Sequence, residues 1–152
     1  MNNIELEALR RHLFFSVAEA SRLISGTSER AWRMWESGQR RVPEDVAGTL
    51  MDLAAWRNTA LTEAQRAIIE KKQAASRIAL IWYPDVESWL SFDDDAIYWR
   101  PHCSVVAELA AKHHASIVCF DMTTYARWLK DRTDSKHLRS QWAAELSLNP
   151  SR

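Results

Sequence analysis

The residues of this chain best suited to recognition chemistry are two arginines, Arg30 and Arg33, which stand three positions apart. Residues at this spacing are neighbours on one face of a helix. A guanidinium fork can donate to both O6 and N7 of a guanine in the major groove of DNA, and each such pair contributes roughly 1–3 kcal/mol of base discrimination. We therefore expect a helix face that reads bases. The candidate base-reading residues are Glu29, Arg30, Arg33 and Met34.

Further polar residues flank this stretch and could hold the DNA backbone. Arg40 and Arg41 follow the point where the helix must end, so we expect them to meet phosphates. Phosphate contacts position a protein on DNA without reading its sequence. The candidate backbone-contacting residues are Ser16, Thr27, Ser28, Gln39, Arg40 and Arg41. The alternative is that the arginines only decorate the surface of an ordinary helical bundle.

Two short helices must position these side chains. Ser16 and Glu19 have the spacing of a capping box, which predicts the start of the first helix. Gly26 permits the positive φ that a sharp reversal needs, Ser28 is a good N-cap for the second helix, and Gly38 suits its C-terminal cap. Two helices joined by a tight turn are the layout of a DNA-reading helix-turn-helix. The second helix is expected to bury Ala31, Trp32 and Trp35.

An N-terminal helix is predicted over roughly residues 3–13, and it should cover the helix pair. Its expected buried stripe consists of Leu6, Leu9 and Leu13, with Ile4 and Ala8 beside them. Arg10 in this helix and Glu36 near the end of the reading helix are candidates for an internal ion pair that fixes the two helices relative to each other.

A further helix is predicted to open at Pro43, because proline is favoured in the first turn. Its amphipathic pattern continues to about Lys72, which favours one long helix with Leu61–Thr62 as a candidate break. The expected buried residues are Val46, Leu50, Leu53 and Ala60 or Leu61.

The pattern changes at Arg77, where a continuous apolar run predicts a buried strand. A second apolar run at residues 115–120 predicts another strand, and residues 97–99 predict a third. Helices are expected between them, near residues 85–90 and from 102 to about 114. The order strand, helix, strand favours a parallel pair.

Two more helices are predicted after residue 121. Their apolar residues are Tyr125, Trp128 and Leu129 in the first, and Leu138, Trp142 and Leu146 in the second. These stripes need a surface, which is either the sheet of the same subunit or a neighbouring subunit. Because a small sheet leaves bare edges, pairing with the same sheet of a second copy would remove one of them, which favours a homodimer.

The predicted fold class is mainly α with a small α/β part, in which a helix-turn-helix bundle precedes a two- or three-stranded α/β dimerisation domain and C-terminal helices. The predicted limits are residues 1–60 for the DNA-binding domain, 61–76 for a connecting helix, 77–121 for the dimerisation domain and 122–152 for the C-terminal extension.

The charge of the chain is unevenly distributed. The formal net charge is zero, but the stretch from Arg10 to Arg41 holds seven arginines and three glutamates, a local charge of +4. A basic face on a protein without net charge can bind a specific DNA site while nonspecific binding to other DNA stays weak. The absence of an apolar signal or membrane-length run predicts a cytoplasmic protein with no membrane partner. Cys103 and Cys119 lack metal-ligand spacing and are expected to be buried thiols.

An enzyme is disfavoured by the sequence. It contains no GxGxxG, P-loop, HExxH or GxSxG motif. The residues with metal-ligand chemistry are Asp93, Asp94, Asp95, His102, Cys103, His113 and His114. Adjacent histidines on a helix diverge by about 100°, and the acidic triplet is more simply a solvated turn. No catalytic residue, metal or cofactor is therefore expected.

Several segments together resemble the YdiL-like helix-turn-helix family, near which the anti-CRISPR-associated transcriptional repressors fall. The segments are ALRRHLF at residues 8–14, SVAEA at 16–20 and ERAWRMWESGQRRVPEDV at 29–46. The most specific positions are Trp32, Trp35-Glu36-Ser37-Gly38 and, behind them, Val42, Pro43 and Asp45. Ser104–Leu109 also agrees with the family pattern, so the resemblance covers roughly residues 1–121. More distantly, the same segment is similar to the Cro and phage-repressor class.

The resemblance implies a dimeric regulator that binds an inverted repeat and represses transcription, frequently of its own operon. Arg30 falls on the reading-helix position of the family. One alternative is an antitoxin whose C-terminal part masks a toxin, and another is a pure protein-interaction module. Nothing in the sequence supports RNA or a partner protein as a further ligand.

Overall fold

The computed structural model describes residues 1–73, 78–92 and 95–148, with side chains described up to residue 70 in the first range. The described residues form eight α-helices and one two-stranded sheet. In chain order these are α1 (Asn3–His12), α2 (Val17–Ala20), α3 (Glu29–Glu36), α4 (Glu44–Gln73), β1 (Ala79–Trp82), α5 (Val86–Leu90), α6 (Trp99–His113), β2 (Ser116–Cys119), α7 (Met122–Leu129) and α8 (Lys136–Leu148). The predicted class, mainly α with a small α/β part, is confirmed.

The chain packs into two compact units. The first comprises Met1–Ala60 and Asp95–Val105, and the second comprises Leu61–Asp94 and Val106–Arg152. The first unit therefore includes residues after 94 that we assigned from the sequence to the α/β domain. The predicted domain limits stay predictions.

The core of the first unit is formed by apolar side chains of α1 to α4 and of the segments that join these helices. Its buried residues are Leu6, Leu13, Phe15, Ala20, Trp32, Trp35, Val42, Val46, Leu50 and Leu53. Asn2 and Glu5 start α1 with a reciprocal capping box. Ile4 and Ala8, which were predicted to lie beside the stripe, are both exposed, Ile4 at 72%, because they lie on the side of α1 away from this core.

Helix α4 is continuous over 30 residues, so the long helix is confirmed and the candidate break at Leu61–Thr62 is absent. Neither residue is a proline or a glycine, so each has a backbone N–H that can donate within the helix and no feature that ends it. Val46, Leu50 and Leu53 are buried as predicted, whereas Ala60 and Leu61 are half-buried.

Residues 97–99 do not form the predicted third strand. Ala96–Tyr98 is a 3₁₀ turn, capped by the Asp95 carboxylate, which accepts from the Ile97 N–H at 3.0 Å. Trp99 then begins α6, three residues before the predicted start. The ring of Tyr98 packs 4.9 Å from that of Trp56, and Ile97 and Tyr98 both contact the first unit's core. The apolar pattern of this segment favours a strand, but packing against the core of the first unit stabilises the turn and the helix instead.

The second unit contains the sheet, in which β1 and β2 are parallel and pair from Ala79 with Ser116 to Trp82 with Cys119. The predicted parallel pair is therefore confirmed. Arg77, the predicted start of the first strand, lies outside the described residues. The predicted short helix is α5, which the Asp85 side chain caps.

Helix α8 packs against both strands of the same chain, so the sheet of the same subunit provides a surface for the C-terminal stripe. Trp142 of α8 is 1% exposed and Tyr125 of α7 is also 1% exposed. The Tyr125 hydroxyl donates to Asp134, and Arg139 Nη1 donates to the Tyr83 hydroxyl at 3.3 Å. The first bond joins α7 to the segment before α8, and the second joins α8 to Tyr83, which directly follows β1.

The two cysteines differ in their surroundings. Cys103 is buried as predicted, and burial raises the pKa of its thiol to about 11. Cys119 is exposed at the end of β2, so its predicted burial is wrong. Cys119 is the last residue of β2 and its side chain reaches solvent, because an apolar run does not require every side chain in it to be buried. In the part of the chain that the structure describes, no helix combines the length and apolar character needed to cross a membrane.

Candidate nucleic-acid interface

Helix α2 begins with the capping box predicted from the sequence. The Ser16 Oγ accepts the Glu19 N–H at 3.1 Å, and Glu19 Oε2 accepts the Ser16 N–H at 2.8 Å. A π-helical turn, Ser21–Ser25, prolongs α2 and ends at Gly26, whose φ is 61°. The glycine therefore provides the left-handed conformation that was predicted for the reversal. The π-helical turn was not predicted.

Helix α3 follows directly. The Ser28 Oγ accepts the Ala31 N–H at 3.2 Å, which satisfies one donor at the start of the helix. Trp32 is fully buried and Trp35 is 7% exposed, with their rings edge to face at 5.6 Å. The predicted inward side of α3 is confirmed for both tryptophans, and Ala31 is half-buried. The helix ends before Gly38, whose φ is 75°.

The Glu36 carboxylate fixes the position of α3. Its Oε1 accepts from Arg10 Nε at 2.6 Å and from Trp32 Nε1 at 2.8 Å. Arg10 Nη1 also donates to the carbonyl of Phe15 at 2.8 Å. The ion pair predicted between α1 and α3 is thus confirmed, and it is largely buried, with side-chain exposures of 9% for Arg10 and 13% for Glu36. Because α3 is held from its inner side, the direction of its outer side is set.

The outer side of α3 carries the candidate base-reading residues. Glu29, Arg30 and Arg33 are exposed, and Met34 is half-buried. An open depression of about 410 Å³ is lined by Arg30, Arg33, Met34, Ser37 and Gln39. The fold therefore brings three of the four predicted readers together, while Glu29 lies at the start of the helix.

Glu29 contacts Arg33 one turn away. Their side chains form an ion pair at 3.1 Å, with exposures of 51% and 65%. Exposed pairs of this kind contribute little stability, on the order of 0.3–0.5 kcal/mol. Arg33 can therefore leave Glu29 for another acceptor at small cost. For Arg30, the described residues provide no ion-pair partner within 4.0 Å.

The candidate backbone-contacting residues lie at the two ends of α3 and at the start of α2. Ser16 and Ser28 use their hydroxyl oxygens as caps, so each O–H remains able to donate to a phosphate. The Thr27 hydroxyl lies 2.9 Å from that of Ser25. Arg41 pairs with Glu44 at 3.3 Å, and both side chains are almost fully solvated, at 87% and 91% exposure. Gln39 and Arg40 are also exposed.

Comparison with known proteins adds a finding that geometry alone does not give. A sequence profile described as Aca2/YdiL-like matches residues 1–119. The chain belongs to the Aca2/YdiL-like family. A similar relative is the Aca2 repressor of Pectobacterium phage ZF40, which is 35% identical over 120 residues, 78% of this chain and 100% of that protein. The resemblance noted from the sequence is therefore confirmed. In this member of the Aca2/YdiL-like family, α7 and α8 lie beyond the matched residues.

Arg100, which lies beside the candidate interface of this Aca2/YdiL-like protein, was not predicted from the sequence. Arg100 of α6 donates to Glu19 Oε1 through both Nε, at 2.9 Å, and Nη2, at 2.6 Å. Burial of the Glu19 carboxyl by itself raises its pKa, but hydrogen bonds from Arg100 and Ser16 outweigh burial and the pKa is lowered. Arg100 and Glu19 are 81 residues apart, and no local pattern joins them.

The metal alternative receives no support from the residues that the structure describes. Among them, no three His, Cys, Asp or Glu side chains are grouped so that they could hold a metal ion. Asp93 and Asp94, which belonged to the acidic triplet, lie outside the described residues.

Removal of the Ser28 hydroxyl tests the cap of α3. We expect Ser28→Ala to lower the free energy of unfolding by about 1 kcal/mol, because one N-terminal amide loses its acceptor. Urea unfolding followed by circular dichroism measures this. The control is Ser37→Ala at the other end of α3, where the lost hydroxyl only donates to the Met34 carbonyl, and it should change stability by less than about 0.5 kcal/mol. Equal effects of the two changes would contradict the assigned cap.

Proposed function

We propose that this Aca2/YdiL-like protein is a sequence-specific DNA-binding transcriptional repressor that acts as a homodimer on an inverted repeat and regulates its own operon. The observation that carries the proposal is the outer side of α3, where Arg30 and Arg33 border an open depression while Glu36 holds the same helix from within. The name of the phage relative, a repressor, supports the same function.

In this proposal α2 and α3 are a helix-turn-helix and α3 enters the major groove. Arg30 and Arg33 read bases, with Met34 beside them, and Glu29 accepts from a cytosine or selects against other bases. The backbone is held by Ser16, Thr27, Ser28, Gln39, Arg40 and Arg41. Arg30 contributes most to base recognition in this proposal. Arg33 must first break its ion pair with Glu29, whereas Arg30 has no ion pair to break among the described residues.

Dimerisation is proposed through the second unit. All four residues of β1 are apolar and only half-buried, and Ile117 of β2 is 48% exposed. A two-stranded sheet with this surface favours pairing with a second copy. A two-fold dimer would present its two reading helices to successive major grooves about 34 Å apart, and such a protein favours an inverted repeat.

The antitoxin alternative finds no specific support. It requires the C-terminal part to mask a toxin, whereas α8 already packs against β1 and β2 of its own chain.

The proposal is tested by selection from random double-stranded DNA with the full chain, followed by fluorescence-anisotropy titration of the enriched sequence. We expect an enriched inverted repeat that also occurs upstream of the protein's own coding sequence. Light scattering of the complex should give two chains per site. Failure to enrich any sequence, together with binding that does not change with salt, would contradict a DNA-binding function.

Two arginine variants separate base reading from backbone holding. Arg30→Ala should weaken binding to the enriched site by about 1–3 kcal/mol and relax the preference at one base position. Arg41→Ala should weaken binding to all sequences alike and reduce the salt slope by about one unit. Arg127→Ala, in α7 beyond the family match, is a control with the same loss of charge and should leave affinity unchanged. If Arg30→Ala and Arg41→Ala lowered affinity equally for every sequence, the assigned roles would be wrong.

A further inference from the structure

An arginine outside the α2–α3 pair binds the first of its two helices. Arg100 stands in the first turn of α6 and donates two hydrogen bonds to Glu19 Oε1, at 2.9 and 2.6 Å. The other carboxylate oxygen, Oε2, accepts the backbone N–H of Ser16 at 2.8 Å. The Glu19 carboxylate is therefore shared between the arginine and the start of α2.

The arginine is held in place from a second side. Its guanidinium carbon lies 3.9 Å from the centre of the Trp99 ring, and Trp99 itself is 5% exposed. The Arg100 and Glu19 side chains are 25% and 15% exposed, so solvent competes for the pair less than at an open surface. Partly shielded pairs keep more of their attraction than solvated ones.

The position of this pair matters for the charge of the proposed interface. Glu19 contacts Ser16, one of the residues that we propose to hold the DNA backbone. A carboxylate without a partner at this place would repel phosphates, whereas the pair with Arg100 has no net charge. Arg100 thereby offsets an acidic side chain that the capping box of α2 uses.

We propose that Arg100 is a positioning residue of the DNA-binding surface: its guanidinium holds and neutralises Glu19, so that α2 meets the DNA backbone without a net negative charge. This inference rests on the proposed DNA-binding function. It gives Arg100 of α6 a role in the interface, although this residue lies 81 positions after Glu19 in the sequence.

The test uses four forms of the full chain: wild type, Arg100→Ala, Glu19→Gln and the double variant. Glutamine keeps an oxygen that can accept from Arg100, and it is tolerated at this position of a capping box. Affinity for the enriched site and for scrambled DNA is measured by anisotropy at two salt concentrations. Thermal unfolding followed by circular dichroism shows whether each variant is folded at the temperature of the titration.

The expected order of affinity is set by charge. Arg100→Ala should bind both DNAs about fivefold more weakly at low salt, because Glu19 is left unpaired. Glu19→Gln should bind as tightly as wild type or more tightly, and the double variant should return to within about twofold of wild type. The deficit of Arg100→Ala should shrink at high salt, since salt screens repulsion between charges near the surface.

Other outcomes overturn the inference. If Arg100→Ala binds as wild type does, the pair has no role in binding. If Glu19→Gln and the double variant are both weaker than wild type, the pair only stabilises the fold. Wild-type protein that binds no DNA would refute the proposed function, and the inference with it, whereas wild-type binding with either of the first two patterns would refute the inference alone.

Discussion

Glu36→Ala is expected to lower the free energy of unfolding by about 3–5 kcal/mol, because it leaves the Arg10 guanidinium buried without its carboxylate. The same change removes the acceptor of the Trp32 indole N–H, which lies 2.8 Å from Glu36 Oε1. Urea unfolding followed by tryptophan fluorescence and circular dichroism measures the loss. The α3 helix should then also lose its fixed direction, so binding to the enriched DNA site should weaken together with stability.

Two further variants make this prediction specific. Glu29→Ala removes the other glutamate of α3 that pairs with an arginine. The Glu29 and Arg33 side chains are 51% and 65% exposed, so this change should lower the free energy of unfolding by less than about 1 kcal/mol. Arg10→Met with Glu36→Met removes both buried charges and should recover part of the stability that Glu36→Ala loses, because the Trp32 indole N–H and the Phe15 carbonyl still lack these partners. A loss below about 1 kcal/mol for Glu36→Ala would show that the ion pair does not hold the bundle.

Trp142→Ala is expected to cost about 3–5 kcal/mol, the range for removing a buried aromatic side chain. The Trp142 ring lies 5.4 Å from that of Phe120 and 5.5 Å from that of Tyr125, and it is 1% exposed. The alanine variant would leave a cavity where α8 meets the sheet. Urea unfolding followed by near-UV circular dichroism, which reports on the packing of aromatic side chains, measures the loss of stability.

The control for this change is Leu148→Ala at the end of the same helix. Leu148 is 53% exposed, so its truncation should change stability by less than about 0.5 kcal/mol. Trp142→Phe, which keeps an aromatic ring, should lie between the two. Should Trp142→Ala behave like Leu148→Ala, α8 would not be packed on the sheet in solution.

The features that could be predicted from the sequence are those that depend on neighbouring residues. Ser16 with Glu19, Ser28 and Gly26 fix the ends of α2 and α3 through caps and a left-handed residue, which act within a few positions. The inward direction of Trp32 and Trp35 follows from the helical period in the same way. The outer side of α3, and hence the candidate reading face, could therefore be located before the fold was known.

The features that escaped prediction depend on residues distant in the sequence. Residues 97–99 have the composition of a strand, but the Tyr98 ring packs beside Trp56 and the segment becomes a 3₁₀ turn followed by a helix. Arg100 gave no signal because its partner lies in α2. The ion pair between Arg10 and Glu36 is an exception, because it was predicted although 26 residues separate the two side chains. The roles of individual residues on DNA stay predictions.

Helix α3 separates the residues that hold it from the residues that face outward. Trp32, Trp35 and Glu36 belong to the packed side, while Arg30 and Arg33 have few attachments to the rest of the protein. Mutations at the outward positions can accumulate without threatening the fold, whereas a change at Glu36 must be matched by a change at Arg10. Under the proposed function, the operator preference of this protein can therefore change through substitutions on the outer side of α3, whereas the inner positions Glu36 and Arg10 must change together.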